Sequence, residues 1–242
     1  MNLIRIDSTA STNSFLKDLL QEQDLPEGTV VVAHEQSAGR GQAGNTWESE
    51  PGENLTFSIL LRPDFLPIKD YFLLSEVIAL SITEVLKFYI ECLSVKWPND
   101  IYYRDEKLAG ILIENEIQGQ TIVRSVIGIG LNVNQEIFRS DAPNPTSLKR
   151  ITGLEYSLDS LLEDIVASIL SLYQDLKEGN TKQIIQDYHL LLYRRKGFYR
   201  YQDKGGEFLA QIEQIDSSGH LYLITQEGEQ RKYAFKEVKF LH

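Results

Sequence analysis

Lys107-Leu108-Ala109-Gly110-Ile111-Leu112-Ile113-Glu114 and, past the turn Gln118-Gly119-Gln120, the run from Thr121 to Val133 decide how this chain is read. Both runs are rich in β-branched and aliphatic residues, and glycine between two polar residues suits a hairpin turn. The segment is predicted to form two paired strands, over 107–117 and 121–133. Gly110 on the first is matched by Gly128-Ile129-Gly130-Leu131-Asn132 on the second. A strand glycine marks a bulge or a close approach of ligand or backbone. Two neighbouring strands bare on a shared face would open a slot with Lys107 at its entrance; simple bulges and a solvated edge lysine are the alternatives.

Working outward, Ser94 to Trp97, Leu55 to Leu61 and Thr29 to Ala33 read as further strands, and Tyr71 to Tyr89 as a helix, free of Gly and Pro, that must cover a sheet. Phe15, Leu16, Leu19 and Leu20 form one helical face after Ser11 or Thr12, either of which can cap that helix. Asp141-Ala142-Pro143-Asn144-Pro145 reads as a loop. Leu158 to Leu176 and Lys182 to Tyr193 are apolar-periodic helices separated by Gly179-Asn180. From Phe198 onward, short strands alternate with the turns Lys204-Gly205-Gly206, Ser217-Ser218-Gly219 and Glu227-Gly228-Glu229, the pattern of a small β-barrel. Charge shifts at the same place: residues 1–189 carry a net −13 and residues 190–242 a net +2. Two domains are expected, 1–190 and 191–242.

With 242 residues and 42% hydrophobic content, the chain can fill a core. A net charge of −11 argues against general affinity for nucleic acid or anionic lipid, so an anionic ligand needs locally placed cations. Cys92 is the single cysteine, and His34, His189, His220 and His242 have no zinc-binding spacing. Met1 to Asp7 lacks a signal-peptide core, and no apolar run reaches the roughly 20 residues that span a bilayer. The expectation is a soluble, cytoplasmic protein with no nucleic-acid or membrane partner.

Two further strings carry chemistry. Ala38-Gly39-Arg40-Gly41-Gln42-Ala43-Gly44-Asn45-Thr46-Trp47 lies between two predicted strands. Its glycines make a mobile loop whose backbone can approach a ligand, Arg40 adds a planar cation suited to phosphate or carboxylate, and Trp47 is either core or a face for an adenine base. Lys96-Trp97-Pro98-Asn99-Asp100 is a tight turn that would hold a lysine, an amide and a carboxylate together.

Taken together and in order, Gly39-Arg40-Gly41-x-x-Gly44-x-x-Trp47, Lys96-Trp97-Pro98-Asn99-Asp100 and Lys107 to Glu114 resemble the biotin protein ligases, over nearly the whole chain. The resemblance implies an α+β fold: a mixed sheet with helices on one side, class II synthetase-like, followed by an SH3-like barrel. It implies an activity as well, joining biotin to ATP as biotinyl-5′-adenylate with release of pyrophosphate, then passing biotin to a lysine of a biotin carboxyl carrier domain. By resemblance Arg40 and Lys107 lie against the biotin carboxylate and the α-phosphate, with Lys96 a further cation. Ser11, Thr12, Asn13 and Gln36 match ureido-side positions. Gly39, Gly41, Gln42, Gly110 and Gly128 line the biotin slot, while Trp47, Gln42, Asn99, Asp100 and Asn132 stand near the nucleotide. Mg2+ is expected mainly through the phosphates, with no protein ligand assigned. Many family members fill the glycine loop with arginines where this chain has Gln42, Ala43 and Asn45, so a weaker grip on the adenylate is expected. Because Ser11 falls so near the start, no N-terminal DNA-binding domain is expected, and a homodimer is left open. The competing readings are a lipoate ligase or octanoyl transferase of similar fold, a non-catalytic biotin sensor and a DNA-binding regulator.

Overall fold

The computed structural model describes residues 2–42, 44–140 and 143–241. A seven-stranded sheet comprises β1 (Asn2–Thr9), β2 (Thr29–Gln36), β3 (Leu55–Leu61), β4 (Leu93–Lys96), β5 (Asp100–Tyr103), β6 (Glu106–Gln118) and β7 (Thr121–Leu131), in the order β1-β2-β3-β7-β6-β5-β4. β1 and β2 pair in parallel and the remaining neighbours antiparallel, so the sheet is mixed. The predicted hairpin is present: Gln118 pairs with Thr121 across Gly119-Gln120.

Strand alternation divides this sheet into two unlike faces. Phe57, Ile59, Leu61, Ile127, Ile129 and Leu131 point into the main core. There they meet α2 (Phe72–Leu86), which is packed in turn against α4 (Leu158–Lys177) and α5 (Thr181–Leu190). α2 is apolar nearly all round because it has neighbours all round. On the opposite face, α1 (Thr12–Glu22) covers one end only, where Leu16 packs with Val31, Leu60 and Val126 in a separate small cluster. The rest of that face is the candidate site.

The short helix α3 (Leu148–Thr152), capped by the Ser147 side chain, precedes α4. It was not anticipated, and neither were β1 and β5. α5 stops at Leu190, short of the expected Tyr193, because Leu191 and Tyr193 instead bond along β4: Val95 N donates to Leu191 O at 2.8 Å and Tyr193 N to Val95 O at 2.9 Å. α2 likewise ends at Leu86, before Tyr89. Ser11 is the N-terminal boundary residue of α1, but its side chain makes no capping bond. Of the predicted loop at 141–145, Asp141 and Ala142 lie outside the described residues, as do Met1, Ala43 and His242.

The second sheet comprises β8 (Tyr199–Asp203), β9 (Gly206–Ile215), β10 (Leu221–Thr225), β11 (Gln230–Tyr233) and β12 (Lys239–Phe240). These pair antiparallel in the order β11-β10-β9-β8-β12, consistent with an SH3-like barrel. The three glycine turns fall where the sequence placed them. This sheet rests on the first through Trp97, whose Nε1 donates to Gly219 O at 2.9 Å, and through Phe235, whose ring lies 5.4 Å from that of Trp97 and 6.3 Å from that of Phe72. Among the described residues no helix is long and apolar enough to cross a membrane.

One group in the core works against folding. Glu76 of α2 is buried, its Oε2 has no hydrogen-bond partner among the described residues, and burial pushes its carboxyl up to about 8 from an ordinary 4.5. A raised folded-state value means that the unfolded chain ionises first, so stability falls as pH climbs from about 4.5 to about 8. The shift corresponds to a loss of about 5 kcal/mol. Glu76→Gln should match the parent near pH 4.5 and be the more stable by several kcal/mol near pH 8, measured by urea unfolding across that range. Parallel pH profiles for the two proteins would refute the assignment.

Candidate functional site

The floor of the site follows from strand register. Gly130 pairs with Thr56 on one side and Gly110 on the other, and Gly110 pairs with Asp100. The next row on the same face runs Ser58, Gly128, Leu112. Two adjacent strands therefore present backbone alone over a central patch, as the paired glycines predicted. An open cleft of about 660 Å³, counting the space at its mouth, stands over it.

At one end of the cleft, α1 supplies polar groups. Thr12 N and Oγ1 donate to Gln36 Oε1 at 2.8 and 3.1 Å, Ser58 Oγ donates to Asn13 Oδ1 at 2.6 Å and Thr12 Oγ1 lies 2.7 Å from Ser58 Oγ. Asn13 Oδ1 is pressed against the bare strand: a Cβ at Gly128 would stand 2.5 Å from it. Ser11, Thr12 and Asn13 are each at most 5% exposed, so a ligand here meets a dry, pre-bonded wall.

At the other end lies Lys107. Its Nζ pairs with Asp100 Oδ1 at 2.8 Å. Its backbone is strapped on both sides, N donating to Asn144 O at 2.7 Å and O accepting from Thr146 N at 2.9 Å. Asn99 is fixed by its Nδ2 bond to Ile111 O at 2.6 Å. Between the two ends, the segment from Gly39 to Trp47 is a small antiparallel arm: Arg40 and Thr46 form a bridge, Gly41 N donates to Asn45 O and Trp47 N to Gly39 O. Trp47 lies on the bare floor, with its Nε1 2.5 Å from where a Gly130 Cβ would be, and Lys107 Nζ is 5.6 Å from the indole. Arg40 Nη2 reaches Glu114 Oε2 at 2.9 Å. From the second sheet, Lys236 brings its Nζ within 4.0 Å of a Gly44 Cβ position.

Thus Ser11, Thr12, Asn13, Gln36, Arg40, Gly41, Gln42, Trp47, Asn99, Asp100, Lys107, Gly110 and Gly128 all line one cleft. Three expected residues do not. Lys96 turns away: its Nζ donates to Tyr102 Oη at 2.9 Å and sits among the rings of Tyr102, Tyr193 and Phe240 at 4.7, 6.0 and 5.6 Å. Burial there lowers its pKa, against an opposing pull from Asp100. Asn132 is buried and donates to Thr146 O at 2.9 Å, so it supports the strap behind Lys107 rather than the cleft. Gly39 serves close packing, a Cβ there colliding with Trp47 O. Gly130, read in sequence as one of the slot glycines, does line the cleft, whereas sequence reasoning passed over Ser58 and Glu114, which border it. A lone serine inside Leu55-Thr56-Phe57-Ser58-Ile59-Leu60-Leu61, and an acid closing an aliphatic strand, were the available signals.

In a chain of net charge −11, the charged lining is Arg40, Lys107 and Asp100, a local excess of cation. Among the described residues no group of three or more metal-ligating side chains gathers. Asp100 alone offers a carboxylate to the lining, which suits a Mg2+ ion held chiefly by substrate phosphates.

The chain has relatives both in sequence and in fold. The profile described as the Biotin/lipoate A/B protein ligase family matches residues 5–132. The chain is 31% identical to the bifunctional ligase/repressor BirA of Bacillus spizizenii over 242 residues, covering 96% of this chain and 72% of that protein. It is 34% identical to the biotin--[acetyl-CoA-carboxylase] ligase of Mycobacterium tuberculosis over 152 residues, 60% of this chain and 54% of that one. Among solved structures, the biotin protein ligase of Aquifex aeolicus in complex with biotin and ATP superposes with a TM-score of 0.82 at 26% identity, covering 99% of both chains.

The contact between Trp47 and the floor is open to direct test. Gly130→Ala should lift the indole, shift its fluorescence to the red and cost about 1–3 kcal/mol of stability, the usual penalty for overpacking. Unchanged emission and unfolding would mean that Trp47 does not rest there.

Proposed function

The chain belongs to the biotin/lipoate A/B protein ligase family, and from that premise we propose that its cleft joins biotin to MgATP and passes the biotin to a lysine of a biotin carboxyl carrier domain. The observation that carries this reading is the single cleft in which an amide-lined end, a side-chain-free floor and two cations lie in sequence.

The chemistry explains the arrangement. A biotin carboxylate oxygen attacks the α-phosphorus of ATP, the bond to the β-phosphate breaks, and pyrophosphate leaves with its Mg2+. Two unit anions at about 4 Å repel by roughly 4 kcal/mol at an effective dielectric of 20. Lys107, held by its backbone strap, and Arg40, carried on the arm, offset that repulsion where negative charge builds. The ureido group takes the end lined by Ser11, Thr12, Asn13 and Gln36, with the bicycle and chain over Gly110 and Gly128. The adenine packs on the outward face of Trp47, with Asn99 and Asp100 beside the nucleotide. In the second step the carrier lysine amine, having lost its proton, attacks the acyl carbonyl, and AMP departs. Proximity supplies most of that acceleration, so no enzyme nucleophile is needed.

Residues 1–190 form the ligand-binding unit in this reading and residues 191–242 an SH3-like unit that brings Lys236 to the arm. The carrier is that of a biotin-dependent carboxylase, acetyl-CoA carboxylase being the one named for the mycobacterial relative. The setting is the reducing cytoplasm, in keeping with the exposed thiol of Cys92. Nucleic acid has no part in it, given the negative charge.

Purified chain mixed with MgATP, biotin and a biotin carboxyl carrier domain should add the mass of one biotinyl group to the carrier. Lys107→Ala should slow this by roughly 10²–10³-fold, the usual loss when a positioned charge donor is removed, and Arg40→Ala should slow it as well. Labelling that survives both substitutions, or transfer of lipoate in place of biotin, would overturn the reading. Because Gln42 and Asn45 stand where arginines are common in the family, bound biotinyl-adenylate should escape freely, and Gln42→Arg should retard its release in a filter-binding chase. A slow release from the parent protein would contradict this.

A further inference from the structure

Glu114 projects from β6 on the cleft face, two positions beyond Leu112, and gathers contacts from two separate elements. Its Oε2 accepts from Asn13 Nδ2 at 2.8 Å and from Arg40 Nη2 at 2.9 Å, and its Oε1 from Lys17 Nζ at 3.0 Å. Asn13 and Lys17 belong to α1, whereas Arg40 belongs to the glycine arm. Burial pulls the Glu114 carboxyl upward, but the bonds from Asn13 and Lys17 and the Arg40 charge outweigh it and leave it below the usual carboxylate range. Surrounded by two cations and an amide N–H, the carboxylate serves as acceptor at all three contacts.

That restriction decides the orientation of Asn13. Both of its N–H groups are spent, one on Glu114 and one on Leu112 O at 3.3 Å. What remains toward the bare strand at Gly128 is the amide oxygen, steadied by the Ser58 hydroxyl. A cyclic urea offers N–H donors at its edge, and an amide turned the other way would meet them with its own N–H groups. The same carboxylate ties the guanidinium of Arg40, so the arm that crosses the cleft is anchored to the wall that reads the urea.

We propose that Glu114 is a positioning residue for this reaction: it fixes Asn13 as a hydrogen-bond acceptor for a ureido N–H and pins the Arg40 arm across the cleft, so that recognition of the vitamin ring and closure over its acid depend on one carboxylate. This deepens the reading of the cleft as a biotin site and rests on it.

The test compares Glu114→Gln with the parent in direct calorimetric titration of biotin and of a biotin analogue methylated on one ureido nitrogen. In the parent, methylation of the nitrogen that faces Asn13 should weaken binding by about tenfold, the loss expected for a hydrogen bond in a dry site. In Glu114→Gln the biotin affinity should itself fall about tenfold, the methylation penalty should shrink toward unity, and the KM for biotin should rise with little change in the KM for MgATP. Glu114→Asp, which keeps the charge but withdraws it, serves as the second variant should the first fold poorly, with the same effects in smaller measure. A merely structural role would lower the melting temperature and the active fraction while leaving the analogue ratio as in the parent; that result overturns the proposal, as does wild-type affinity in both variants. Failure of the parent protein itself to bind biotin would instead overturn the underlying reading of the cleft, and this inference with it.

Discussion

A β-sheet buried on one face has to carry large side chains there, and the alternation of the strand then dictates what stands on the other. In this protein that constraint is met at Gly110 and Gly130, which pair directly across β6 and β7, while their neighbours Ile111 and Ile129 fill the core beneath. The core side is filled by large side chains, while at these glycines the opposite side is peptide backbone alone. Everything else in the cleft depends on that patch: Trp47 can lie flat because nothing projects upward, and Asn13 can bring its oxygen down onto Gly128. A side chain at either glycine would fill that space and displace the indole that rests there.

The second organising feature is that each cation at the cleft already has a counter-ion. Lys107 is paired with Asp100 and Arg40 with Glu114, at 2.8 and 2.9 Å. The Arg40 pair is partly exposed and the Lys107 pair more covered; exposed pairs add little to stability, and the importance of both lies in geometry. A partnered side chain is held in one direction, so each cation stands oriented at the cleft instead of wandering in solvent. Arg40 holds its partner across an arm that is itself closed by backbone bonds, so the cost of positioning it is met largely by the fold.

Much of this was legible in the sequence, and what was not has physical reasons. The hairpin, the central strand β3, the long helices and the three glycine turns of the second sheet declared themselves by periodicity and by turn residues. β1 escaped because it is a sheet edge, half exposed along Asn2 to Thr9, where burial imposes no clear pattern. β5 escaped because four residues give too short a period to read. Within the site, motif residues were found by spacing, but spacing does not say which way a side chain turns. Lys96 and Asp100 sit opposite each other in the β4–β5 register, yet one enters a cage of aromatic rings and the other the cleft. Glu114 reads in sequence as the acid closing a strand motif, and its contacts with Asn13, Lys17 and Arg40 come from a three-dimensional convergence that no local window contains.

The five-residue turn from Lys96 to Asp100 serves two masters. Its first half belongs to the C-terminal sheet, through the Phe240 ring over Lys96 and the carbonyl of Gly219 on Trp97; its second half belongs to the cleft, through Asn99 and Asp100. The two sheets are consequently not interchangeable modules. A chimaera that grafted the terminal barrel of a relative onto this scaffold would have to import matching partners for Lys96 and Trp97 as well, and drift at Gly219, Phe235 or Phe240 would be felt at the cleft although none of those residues lines it.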